Sequence, residues 1–222
     1  MKRLSTKSPD SSLRPFFEIA AVIATGVLHL VFVNGFNARA GFIGISLVAW
    51  TAYIAARTRK NPGSLSAWGF TCLNLLAAST SATLMVISAA AIMAFIALSQ
   101  HSLSLCWHML PLGLLYPIWG LIQQFLIQAL VAANLKRIWP RMDSACVITP
   151  VITPICALLF GMVHLPDLKL AAGTFLLGLA FTPIYLKWRN LWPLGIYHGW
   201  LGVLFYFWIL RRDPWLEVLG AH

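Results

Sequence analysis

Charge is scarce in this sequence, and negative charge scarcer still. Only 10% of its 222 residues are Asp, Glu, Lys or Arg, and six of them are acidic. A soluble domain carries about 25%. Between Asn61 and Leu135 no charged residue occurs at all, which excludes an ordinary water-facing surface over that third of the chain. Metal-binding and redox cysteine spacing is lacking too. Cys72, Cys106, Cys146 and Cys156 form no CxxC pair, so they read as small apolar residues in or beside the spans. The formal charge of +10 would suggest nucleic acid in a soluble chain. Here the basic residues punctuate apolar runs, so they set orientation in a bilayer and face anionic headgroups. No nucleic-acid partner is expected.

What fills the chain instead is apolar surface: 59% hydrophobic residues and a mean hydropathy of +0.79. The expected fold is all-α, a polytopic transmembrane helical bundle of about seven or eight helices. It forms one domain over residues 16–210, between a basic, disordered tail (1–15) and a short C-terminal tail (211–222). Spans are expected at Ile19–Ala38, Ala40–Ala56, Cys72–Leu98, Met109–Asn134, within Ser144–Pro166, Leu170–Leu186 and Leu191–Leu210. Ala38-Arg39-Ala40 resembles a signal-peptidase site, but the run before it exceeds a signal core of about 7–15 residues, so a retained helix is the better reading. Trp68 is expected as an anchor in a segment lying flat at the interface. Ala78/Ala82 and Ser79/Thr83 are small residues four apart that let helices approach. Pro150 and Pro154 favour a kink in the fifth span. With the N-terminus inside, twelve Lys/Arg fall on the inner side and four on the outer. That bias predicts a multi-pass cell-membrane protein with a cytoplasmic N-terminus.

The stretch that organises the rest is Met109–Asn134, 26 residues without charge but with Gln123, Gln124 and Gln128. In hydrocarbon each amide needs a partner or costs several kcal/mol. This helix must therefore be surrounded by others. Three pairs share an i, i+4 spacing and hence one helix face each: Gln124/Gln128, Phe160/His164 and His198/Gly202. Intramembrane His is rare and commonly functional. The same side chains also serve simply to bond helices together, and spacing alone leaves both readings open. His29, in the first span, reads as a packing residue.

From about Tyr116 to Tyr206 the chain resembles the CPBP family, the CAAX-protease and bacteriocin-processing membrane proteins. The family's EExxxR motif aligns with Gln123-Gln124-Phe125-Leu126-Ile127-Gln128. Its FxxxH is matched by Phe160-Gly161-Met162-Val163-His164, and its HxxxN/D by His198-Gly199-Trp200-Leu201-Gly202. The resemblance implies an intramembrane endopeptidase acting on a membrane-associated peptide or protein. In such an enzyme glutamate and histidine activate water, and an amide holds the oxyanion. His164, His198, Gln123 and Gln124 then stand at catalytic positions, and Gln128 and Phe160 at positions facing substrate. The departures fall on the chemistry: both glutamates are Gln, the arginine is Gln128, and the last Asn/Asp is Gly202. Glutamine takes no proton near neutral pH, so the base would be histidine. Asp167 reads as the cap of the next helix. Two histidines give too few ligands for zinc, and no metal or cofactor is expected. The other class of function is a non-catalytic relative that keeps the cavity as a peptide or lipid receptor, immunity protein or scaffold. No inverted repeat supports a transporter.

Overall fold

A computed structural model describes residues 10–36, 39–139 and 145–219. The chain folds as an all-helical membrane bundle. Helix α1 is Asp10–Leu30, continued by a π-helical Val31–Gly35; α2 is Arg39–Lys60 and α3 is Ser64–Trp68. Helix α4 is Leu75–Ser99. Helix α5, Met109–Gln124, runs through a π-helical Phe125–Ala132 into α6, Ala133–Ile138. Helices α7, Ala145–Met162, and α8, Leu168–Trp188, form a hairpin. Helix α9, Trp192–Leu204, extends through a π-helical Phe205–Leu210, and α10 is Pro214–Leu219. Among the described residues, six helices are long and apolar enough to cross a bilayer, and Thr149–Met162 adds a shorter apolar stretch. Each overlaps one of the seven expected runs, the first lying at Leu13–Leu30 rather than Ile19–Ala38.

Two boundaries and the placement of Trp68 differ from expectation. Helix α1 starts at Asp10 rather than near Phe16; the extra turn lets Arg14 reach Glu18 at i, i+4, with Nε 3.4 Å from Oε1. The remainder of the expected disordered tail, 1–9, lies outside the described residues. The C-terminal tail is helical over α10. Trp68 is not an interfacial anchor. It is buried at 6% exposure, its ring 5.2 Å from that of Phe125. Helix α3 ends at Gly69 in the left-handed region (φ 101°), which returns the chain into the bundle. The Trp68 carbonyl accepts from Tyr185 Oη at 2.9 Å.

Glycine sets the tightest helix pair. Helices α5 and α9 run antiparallel with backbones in contact. A Cβ on Gly199 would sit 2.3 Å from the Pro117 nitrogen, and one on Gly120 would sit 2.3 Å from the Gly195 carbonyl oxygen. Neither neighbour is a side chain that can swing away. Gly199→Ala is therefore expected to cost about 3 kcal/mol, at the top of the overpacking range. It would appear as a lower melting temperature in detergent; an unchanged melt would mean that α5 and α9 are less close than described.

The first hairpin is fastened to the rest through one acid. Glu18, 6% exposed, accepts from Tyr53 Oη of α2 and from Asn134 Nδ2 of α6, each at 2.5 Å. A buried carboxylate is costly unless it is paired and hydrogen-bonded, and three helices supply its partners.

Candidate active site

Adjacent residues on a helix point about 100° apart, and this separates the two leading glutamines. Gln124 turns toward α9 and is fully buried. Its amide Nε2 lies 3.4 Å from His198 Nδ1, and its Oε1 accepts from Gln128 Nε2 at 3.2 Å. Gln128, also fully buried, donates as well to Thr182 Oγ1 of α8 at 3.2 Å. The imidazole of His198 in turn hydrogen-bonds the Gly120 backbone. The donors and acceptors fit a single sense: Gln128 donates to Gln124, Gln124 to His198 Nδ1, and His198 to the Gly120 carbonyl. This satisfies a neutral His198 at both nitrogens. The Gln128 Oε1 atom is buried without a partner.

Gln123 turns the other way, into a cavity of about 440 Å³ that Tyr116, His164, His198 and Gly202 also border. Gln123, His164, His198 and Gly202, from the three motifs, thus meet in one place, whereas Gln124 and Gln128 stand behind the wall and Phe160, expected to face substrate, borders only the smaller cavity described below. The motif position of Gln128 implied a substrate contact; in the structure it lines neither this cavity nor the smaller one described below.

Read as opposite ends of full spans, His164 and His198 would lie on opposite sides of the bilayer. The fold instead brings both to the border of one cavity. Side chains on a helix lean toward its N-terminus, which carries Phe160 to the level of His198. The Phe160 ring is 5.3 Å from both imidazoles and edge-on to each.

His164 sits in the turn after α7, its backbone N–H donating to the Gly161 carbonyl at 3.0 Å. Its Nδ1 is 2.7 Å from the Phe160 carbonyl oxygen. A carbonyl only accepts, so Nδ1 carries the proton and the neutral ring keeps its lone pair on Nε2. The same ring borders a second cavity of about 120 Å³ between α1, α2, α5 and α7. Trp119, Gln123 and His164 border both cavities, and His29 faces the smaller one. Among the described residues, no Asp or Glu lines either cavity. Asp167 caps α8 as expected, accepting from the Leu170 N–H at 3.0 Å, and also pairs with Arg212 at 3.1 Å. Cys156 is fully buried in the core, and neither histidine pairs with it.

Thr182 and Trp119 were not visible as site residues in the sequence. A threonine in an apolar run, or an aromatic four residues before a glutamine, is too common to single out.

Residues 106–204 match the family model described as type II CAAX prenyl endopeptidase Rce1-like. Over this segment, a little under half of the chain, the protein is similar to the CAAX-type intramembrane proteases. No curated protein and no solved structure matches the chain.

Proposed function

We propose that the larger cavity receives a segment of a membrane-associated peptide or protein, and that hydrolysis there runs on His164 in place of a carboxylate. The observation that carries this reading is the Nδ1 tether of His164 to the Phe160 carbonyl, 2.7 Å long. It leaves the basic Nε2 for a water at a cavity that Gln123 also borders. A neutral histidine oriented in this way is a competent general base. The Gln123 amide is a cavity donor suited to a developing oxyanion. In this scheme Nε2 takes a proton from water, the hydroxide adds to the peptide carbonyl, and the imidazolium returns the proton to the departing amine. His198 and Gln124 hold the α5–α9 wall and do not exchange protons. The cavity volume suits a ligand-sized group, and the family's name makes a prenylated CAAX-type peptide the first substrate class to try. The Lys/Arg bias at the ends of α2, α6 and α8 supports a cytoplasmic N-terminus in the cell membrane.

A second reading is a receptor that holds such a segment without cutting it. It is favoured by Gly202, which borders the cavity with no side chain to offer, and by the absence of carboxylate there.

The test is a library of membrane-anchored peptides, some prenylated, incubated with the purified protein and with His164→Ala and His198→Ala. On the first reading His164→Ala lowers cleavage by about 10²-fold or more, the contribution of a general base. His198→Ala, in contrast, lowers the melting temperature along with activity. No cleavage by a folded wild type, with peptide still retained, establishes the receptor.

A further inference from the structure

The antiparallel course of α5 and α9 brings the start of one helix to the end of the other. At that end the chain places Cys106 and His108, just before α5, beside Asp213, just after the last π-helical turn. One ligand atom from each, Sγ, imidazole N and carboxylate O, lies within 4.8 Å of the other two. We propose that these three side chains form a zinc site that staples the α4–α5 connection to the chain leaving α9.

The donor set fits the ion. A thiolate and a carboxylate supply two negative charges against Zn²⁺, and the imidazole adds a neutral nitrogen. Sulfur and nitrogen donors select zinc over the hard cations magnesium and calcium. Three protein ligands leave a fourth tetrahedral position for water.

The surroundings hold two ligands in place. Asp213 Oδ1 accepts from the Trp215 backbone N–H at 2.9 Å, which aims Oδ2 at His108 Nδ1, 2.5 Å away. Outer contacts of this sort orient metal ligands. The Trp107 ring stands edge-on to His108 at 4.3 Å, and Trp215 lies over it at 6.2 Å. All three ligands are partly buried, so the indoles restrict water around the site. Arg212, next to Asp213 in sequence, is engaged by Glu217 at 2.6 Å and Asp167 at 3.1 Å. On zinc binding the thiol proton and the proton shared between His108 and Asp213 leave to solvent. The two ring and carboxylate atoms then separate by roughly 1 Å to take up tetrahedral geometry at zinc–ligand distances of about 2 Å. This site is separate from the cavity histidines and stands whether or not they hydrolyse peptide.

The experiment uses the full chain in detergent, stripped with chelator and titrated with Co²⁺ as a spectroscopic substitute, then with Zn²⁺. The expected result is one cobalt per chain with thiolate-to-cobalt charge-transfer absorption, displaced by zinc. Cys106→Ser loses that absorption, and His108→Ala and Asp213→Ala weaken binding by about tenfold or more, as loss of a ligand or its support does. A second measurement needs no variant. Zn²⁺ should slow maleimide labelling of Cys106, read by mass spectrometry, and leave the exposed Cys72 unchanged. Absence of thiolate–cobalt absorption, or equal labelling of Cys106 with and without zinc, overturns the site and leaves a plain His108–Asp213 hydrogen bond beside a bystander thiol.

Discussion

Gln123→Glu alone is expected to raise peptide cleavage by about two orders of magnitude, and Gln124→Glu alone to raise nothing. The two glutamines are neighbours in sequence but stand on opposite sides of the cavity wall. Gln123 shares the cavity with His164, so a carboxylate there meets the same water as the imidazole and can take its proton. A positioned general base contributes ~10²–10⁴-fold. Gln124 is sealed between His198 and Gln128, where a carboxylate would reach no substrate. Ionised, it would accept where His198 Nδ1 now needs a donor. The measurement is the cleavage rate of the best library peptide with each single variant. If a folded Gln123→Glu protein gains nothing, the side chain missing at Gly202 is the limiting loss. Adding Gly202→Asn to it is then the decisive comparison, and failure of that pair assigns the cavity to binding.

The largest stability effect among the glutamines is expected at the other member. Gln124→Leu removes the donor to His198 Nδ1 and the acceptor for Gln128 Nε2, while Gln128 keeps Thr182. Leaving a buried polar group unpaired costs about 1–3 kcal/mol, and interhelical hydrogen bonds in membrane proteins average about 0.6 kcal/mol with a maximum near 1.7. The unpaired His198 Nδ1 and the lost bond within the helix together come to about 2–3 kcal/mol, or a fall of roughly 5–10 °C in melting temperature for a chain of this size. Gln123→Leu is the control. Its side chain faces open space, and its melt should move by less than about 1 kcal/mol. Equal shifts in the two variants would contradict the division of labour between them.

How much of this was legible in the residues depends on distance along the chain. Apolar run length gave seven segments, because bilayer thickness translates directly into helix length. The i, i+4 pairs were legible for the same reason: Gln124 and Gln128 bond each other in the structure, as one helix face requires. The side of the wall each glutamine occupies was not legible, since that is decided by where α9 lies. Trp68 misled because tryptophan prefers interfaces on average, whereas here the left-handed Gly69 folds it inward. Glu18 escaped notice at the edge of a span, next to Arg14 and a polar tail, where an acid ordinarily faces water. Its partners Tyr53 and Asn134 lie 35 and 116 residues away, and no local pattern connects them. The juxtaposition of Cys106 and His108 with Asp213 is hidden for the same reason.

That separation in sequence carries a consequence for biogenesis. Helix α1 leaves the ribosome with its carboxylate already in place, but Asn134 follows 116 residues later. At about 5–20 residues per second the acid waits roughly 6–23 s for its last ligand, with Arg14 and then Tyr53 as interim company. The first hairpin therefore enters the bilayer as an unfinished part. Its final seating is timed by emergence of the segment that carries the site, so the later core, once made, closes the door behind the helices that preceded it.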